Sequence, residues 1–261
     1  MRDVHVHFLH GAACGYSQDY LDGYLKKATE MNLDEIYLLE HAHHFREFEK
    51  VYAPGIAYND LQQAWLTEDL NSGSVEDYLK FIEAAQTGDY PIKVKFGLEV
   101  CYIPETADKL ANILAQYKFG FLTGAVHWID GWAFDFPDQK ELWNSRNVNK
   151  TYIRYYQIMH ELCESGLFTG LAHPDSIKCF GYTPTCDLTQ EYTTLAVLLN
   201  KNNMYTENNG GLKLRYNPDL ELGMNKTLLE VLKSHNVTIF TASDAHTLED
   251  VGANVRELRE I

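Results

Sequence analysis

The chain of 261 residues has little sulfur, and what it has is scattered. Cys14, Cys101, Cys163, Cys179 and Cys186 are odd in number and form no Cys-x-x-Cys pair. That argues against a disulfide framework and against a thiolate zinc knot. No window of about 18 apolar residues occurs, so no membrane span is expected. No charged region followed by an apolar stretch precedes the first predicted strand, and a cytoplasmic location is the expectation. Basic residues are few, 22 against 37 acidic ones, for a net charge of −15. A nucleic-acid binder would show a basic face, so none is expected as partner. Repeats, low-complexity tracts and Pro/Gly-rich linkers are also missing. The chain therefore reads as one domain over 1–261, long enough for a single barrel of about 250 residues. Nothing here speaks to oligomeric state.

What is present is histidine and acid, placed at the ends of apolar strands. The first strand, Asp3–Leu9, contains His5-Val6-His7. Alternate strand residues share a face, so both imidazoles can aim at one point. That is a poor way to build an apolar core and a good way to hold a metal. Six further strands are predicted at Glu35–Glu40, Lys93–Val100, Phe121–Ile129, Thr169–His173, Met204–Asn208 and Val237–Ser243. Helices alternate with them over Gln18–Met31, Ser74–Gln86, Glu105–Tyr117, Val148–Ser165, Leu188–Lys201, Lys226–Ser234 and Leu248–Leu258. Ser74, with Asp77 three residues on, is a candidate cap. Residues 42–74 break the pattern and read as an insertion or lid over one end, with a helix around Tyr58–Leu66.

Alternation of this kind implies a parallel sheet. The expected fold is α/β, a distorted seven-stranded (β/α) TIM-like barrel with its site at the C-terminal strand ends. A doubly wound sheet would gather its chemistry at one switch point, whereas here nearly every strand end is loaded. In order the ends carry His5 and His7, Glu40 and His41, Glu99, His127, His173 with Asp175, Glu207, and Asp244 with His246. A lone histidine in a strand is more often a hydrogen-bonded core residue than a ligand. A set that closes most strands in turn is hard to produce by chance. Imidazole and carboxylate suit zinc, manganese or iron. Six imidazoles exceed the needs of one ion, so two or three divalent ions are expected, with Glu99 a possible bridge. His160 and His235 fall on helices and read as surface or packing residues. His43 and His44 stay open between ligand, substrate contact and neither. Asp3 and Asp175 are candidates to orient imidazoles through their free ring nitrogens.

The ordered motifs His5-x-His7, Glu40-His41, Gly97-Leu98-Glu99-Val100, His127, Ala172-His173-Pro174-Asp175 and Ser243-Asp244-Ala245-His246 resemble the polymerase and histidinol phosphatase (PHP) superfamily. The stretches Val126–Trp132 and Phe134-Asp135 look most like its monofunctional histidinol-phosphate phosphatases. The resemblance implies a distorted seven-stranded barrel and a trinuclear site. By position, one ion would take His5, His7, Glu99 and Asp244, a second His41 and His246, and a third Glu99, His127 and His173. Relatives supply another ligand to the second ion from the loop after His-x-His. Here Ala13 and Cys14 stand there and His10 comes early, so His10 or Cys14 would have to serve.

The implied activity is hydrolysis of a small phosphate, L-histidinol phosphate first, in histidine synthesis, by a metal-bridging hydroxide attacking phosphorus. Asp175 and His246, the latter only if no metal holds it, are candidate proton donors to the leaving oxygen. Lys178, Lys213, Arg215 and Arg154 are candidate phosphate-binding cations, with a solvated surface charge the equal alternative for each. Relatives carry Gly-Leu-Arg after strand six where this chain has Gly211-Leu212-Lys213, which bears on the substrate. Glu47 and Glu49 could meet the amine or imidazole of histidinol. Other readings are a phosphoesterase for another small phosphate or nucleotide, a metal-binding domain without turnover, and an amidohydrolase-like barrel. The last commonly uses eight strands and a bridging lysine, where this chain has Glu99.

Overall fold

The computed structural model describes residues 1–8, 15–69 and 73–261, with the side chain of residue 69 left aside. His10 and Cys14 lie outside the described residues. Seven parallel strands form one sheet: β1 (Arg2–His7), β2 (Glu35–His41), β3 (Lys93–Cys101), β4 (Phe121–Ala125), β7 (Gly170–Leu171), β8 (Tyr205–Asn209) and β9 (Ile239–Ala242). They neighbour one another in chain order. The sheet then closes on itself. Just past β9, Asp244 N donates to His5 O at 2.9 Å, and His7 N donates to Ala245 O at 2.8 Å. The result is a nearly closed barrel with helices between the strands.

The helices form for local reasons. In α1 (Gln18–Glu30) the buried residues Leu21, Tyr24, Leu25 and Ala28 recur at helical spacing, and Ser17 caps the start. Asn147 caps α6 (Val148–Glu164), and Asn225 caps α9 (Lys226–Ser234). Three turns from helix back to strand use one device. Asn32, Asn203 and Asn236 follow α1, α7 (Thr189–Lys201) and α9, each with φ between 53° and 56°. Asparagine tolerates this left-handed conformation, which ends the helix and aims the chain at the sheet.

Inside the barrel two layers are stacked. The lower one is apolar: Val4, Tyr37, Leu39, Phe121, Tyr205 and Ala242 pack together. The Tyr205 hydroxyl bonds Thr123 Oγ1 at 2.7 Å, so that even its polar end is satisfied. The large rings fit because small residues face them. A Cβ on Gly170 would lie 2.2 Å from the Tyr205 ring, and one on Gly97 would lie 2.4 Å from Phe121 O. The upper layer holds the imidazoles. A bulge in β1 between Asp3 and Val6 lets Val4 serve the lower layer and His5 the upper one.

Several elements differ from the sequence expectation. The fourth strand stops at Ala125, and Trp128–Ile129 (β5) pairs instead with Trp132–Ala133 (β6). The cause is Asp130-Gly131, both at positive φ, a two-residue hairpin turn. The last helix breaks: Leu248–Asp250 is a 3₁₀ turn, and α10 begins only at Val255 after Gly252 and Asn254 at positive φ. Ser74 precedes α4 (Val75–Ala85) but makes no side-chain cap. Glu47 reaches over and accepts from Val75 N at 3.3 Å instead. Residues 42–69 form two 3₁₀ turns and the helices α2 (Ala53–Ile56) and α3 (Asp60–Asp69). A further short helix, α8 (Gly211–Arg215), follows β8. No described helix is long and apolar enough to cross a membrane.

The inner layer makes a stability prediction. Gly97→Ala forces a Cβ against a backbone oxygen and should destabilise by about 1–3 kcal/mol or more. Gly23→Ala, whose Cβ meets only Leu248 at 3.8 Å, should stabilise by roughly 0.5–1 kcal/mol through helix propensity. Urea unfolding of the two variants checks both signs.

Candidate metal centre

The barrel register brings the strand-end donors together. His41 on β2 is the direct partner of Glu99 on β3, and His41 Nδ1 lies 2.8 Å from Glu99 Oε2. His127, just past β4, and His173, just past β7, place their Nε2 atoms 3.1 and 2.8 Å from Glu99 Oε1. His5 and His7 on β1 place theirs 3.5 Å from Glu99 Oε2, and 3.7 and 3.5 Å from Asp244 Oδ1. Glu99 is thus a buried carboxylate among five imidazoles. Burial alone would raise its pKa, but His41, His5 and the bonds from His127 and His173 hold it well below the usual carboxylate range. His173 and Asp244 have φ of 22° and 57°, unusual for residues other than glycine. Such conformations persist where the surroundings enforce them, commonly at functional sites.

The outer nitrogens show what the inner ones are for. His5 Nδ1 is 3.0 Å from both oxygens of Glu207, so Nδ1 carries the proton and Nε2 turns a lone pair inward. His127 Nδ1 is 2.5 Å from Asp135 Oδ2, so Nδ1 donates to that carboxylate and Nε2 is the nitrogen turned to Glu99. Burial opposes a charge on the His127 ring, yet Asp135 and Glu99 outweigh it and push its pKa up to about 10. His246 Nδ1 lies 2.9 Å from Asp244 O and also meets Arg215, and its Nε2 faces His41 Nε2 at 3.3 Å. His5 Nε2 and His7 Nε2 are 3.1 Å apart. Glu99 Oε2 is buried and makes no well-aligned hydrogen bond. Imidazole nitrogens and carboxylate oxygens converge at this spacing, and the donor set fits a divalent metal.

Among the described residues, four groups have donor atoms all within 4.8 Å of one another: His5, His7 and Glu99; His5, His173 and Asp244; Glu99, His127 and His173; and His7, His41 and His246. The last gives His41 and His246 a third imidazole, a sharing of His7 that spacing alone does not reveal.

Other expected residues stand elsewhere. Lys178 is buried and bonded to Asp175 Oδ2 at 2.7 Å, Glu221 Oε1 at 3.1 Å and Gly223 O at 2.7 Å. Asp175 also accepts from Asn225 N at 2.6 Å and touches no imidazole among its described bonds. Burial raises its pKa against the pull of Lys178. Arg154 pairs with Asp130 and Glu161, each at 3.0 Å, and Lys213 donates to Leu220 O. The structure brings none of these four to the imidazole cavity. Asp3 likewise orients backbone rather than rings, accepting from Ser243 N at 2.9 Å and Gly252 N at 3.0 Å. Arg215 does reach the site. Its guanidinium forks onto Asp244 at 3.0 and 2.8 Å and touches His246.

Sequence reasoning left Glu207 and Asp135 without a role. Their signal was available in principle, since ligating imidazoles need a carboxylate behind them. The centre opens into a cavity of about 480 Å³ whose lining includes His41, His43, His44, His127, His246 and Arg215 together with Trp65, Trp128 and Phe136.

Residues 3–210 match the family model described as PHP domain. The chain belongs to the PHP family. A curated relative from Deinococcus radiodurans, named probable histidinol-phosphatase, is 25% identical over 174 residues, which are 65% of this chain and 65% of that relative. Among solved structures, a candidate histidinol phosphatase from Listeria monocytogenes superposes with a TM-score of 0.71 at 18% identity, covering 98% of this chain and 99% of that one. A histidinol phosphate phosphatase from Lactococcus lactis, solved with zinc, L-histidinol and phosphate, gives 0.68 at 17% identity, with 99% and 92% covered. These two likenesses show the PHP barrel.

The outer carboxylates generate a prediction. Glu207→Gln should weaken zinc binding roughly 10- to 100-fold while the circular dichroism spectrum is retained. Competition with a chromogenic chelator measures it. Unchanged affinity would show that Glu207 does not act through His5.

Proposed function

We propose that this PHP chain is a metal-dependent phosphomonoesterase and that L-histidinol phosphate is its substrate, in histidine synthesis. The observation that carries the reading is the array of inward-facing imidazole nitrogens around Glu99, open to a cavity that also holds a guanidinium. The curated relative's name and the ligands of the Lactococcus structure support the choice of ester.

His5, His7, Glu99 and Asp244 would hold one ion, and Glu99, His127 and His173 another; His41 and His246, with His7 beside them, would hold a third. Zinc, manganese or iron suits these donors. When bound, such ions make a water more acidic and draw charge from phosphoryl oxygens. The chain's own residues do the rest. Glu207 and Asp135 hold His5 and His127 in the tautomer that faces inward. Arg215, with its fork on Asp244, puts a guanidinium at the cavity, a group that suits phosphate oxygens. In hydrolysis the oxygen of water forms the new bond to phosphorus, the ester P–O bond breaks, and the departing oxygen takes a proton. His246 Nε2 faces His41 Nε2, while Nδ1 lies beside Asp244 O and Arg215. Nε2 can bind an ion or deliver the proton, not both. Asp175 is held by Lys178 and Asn225 N and does not line the main cavity.

Phosphate release from L-histidinol phosphate, by protein of measured metal content, tests the reading. Selective release is expected. None from this or any other small ester, with two or three ions bound, would overturn it. His246→Ala separates the two roles. Loss of an ion together with turnover assigns His246 as a ligand. Full metal content, with turnover lost for histidinol phosphate but kept for p-nitrophenyl phosphate, assigns it as the acid, since the second leaving group needs no proton.

A further inference from the structure

Part of the cavity wall is aromatic, formed by Trp65, Trp128 and Phe136 beside His43 and His44. Trp65 is half-buried on α3 and stacks on Phe136 with ring centroids 4.5 Å apart and planes within 16°. It lies parallel to Trp128 as well, at 6.0 Å and 9°. One turn earlier on the same helix, the buried Gln62 side chain donates to Gly55 O at 2.8 Å and Gly131 O at 2.7 Å, and accepts from Ala133 N at 2.9 Å. Those bonds fasten α3 to the β5–β6 hairpin. The Trp65 ring is therefore a fixed surface rather than a loose side chain.

Charge on this wall is one-sided. Among the described residues, Asp135 is the one carboxylate lining the cavity, and His127 already holds it. Glu47 is turned to Val75 N, and neither it nor Glu49 lines the cavity. An ammonium group entering here would face Arg215 and the ion-binding side without a free counter-charge. Uncompensated charge in a partly desolvated site is disfavoured. A flat neutral ring would instead meet a matching apolar face.

Resting on the phosphatase reading, we infer that this cavity selects phosphomonoesters by a flat, neutral ring in the alcohol, with Trp65 as the platform, and leaves any amine on that alcohol unrecognised. Trp65 is then a specificity-determining residue, and the insertion that carries it sets the substrate class.

Binding rather than turnover decides this. Three non-hydrolysable phosphonates are titrated calorimetrically into the zinc-loaded protein at pH 8: an imidazolyl-propyl one without an amine, an aminoethyl one without a ring, and ethyl phosphonate. The ring compound should bind tighter than either other by roughly tenfold or more, the scale of a ring stacked on an aromatic side chain. Trp65→Ala should erase that advantage and leave ethyl phosphonate unchanged, while Trp65→Phe keeps most of it. An aminoethyl compound that binds as tightly as the ring compound would overturn the inference. So would a Trp65→Ala variant that weakens all three equally, because Trp65 would then be only structural. Failure to hydrolyse any matching ester would sink the phosphatase reading, and the phosphonate affinities would still decide ring selection.

Discussion

The barrel's upper layer depends on one buried carboxylate. Glu99 sits where five imidazoles converge, and its charge is what makes their arrangement tolerable. A carboxylate shut away from water is costly unless paired. Imidazoles crowded together repel if they are protonated. Each group is acceptable only because of the other, and a divalent cation completes the balance. The outer ring of acids belongs to the same bargain: Glu207 and Asp135 decide which nitrogen of His5 and His127 is turned inward.

Below that polar layer the barrel is an ordinary apolar core, and the division between the two follows the strand period. Tyr37 and Leu39 lie under His41 on one face of β2, and Tyr205 lies under Glu207 on β8. One set of strands therefore provides both packing and chemistry. The bulge in β1 belongs to this scheme, since it seats Val4 in one layer and His5 in the other.

Much of this was legible in the residues. Seven strands, their parallel pairing and the loaded strand ends follow from short apolar runs alternating with helical spacing. The ends of elements were less legible. Apolar continuity ran the fourth strand through to Ile129, although Asp130-Gly131 is a hairpin signal in its own right. The final helix was drawn through Gly252 for the same reason. At the site, the side chains on strands could be placed by period alone, so His5, His7, His41, Glu99 and Asp244 were readable. The cations could not be sorted that way. Lys178 and Arg215 both lie in loops or short helices after strands and both pair with a carboxylate, and only the three-dimensional placement shows that Arg215 alone of the two lines the cavity. Trp65 sat in a stretch without clear periodicity, so nothing in the chain announced that it would line the cavity.

The seam between β1 and the segment after β9 has a consequence for how the molecule is made. Ser243 bonds Asp3 across a separation of 240 residues, and His5 meets Asp244 at the same seam. The first candidate ligands to leave the ribosome must therefore wait for nearly the last. Until residues 243–246 emerge, β1 has one neighbour instead of two, and an ion arriving early would find an unfinished set of donors. Loading thus belongs to the end of synthesis, and a chain cut short near its C-terminus would lose its metal centre before it lost most of its core.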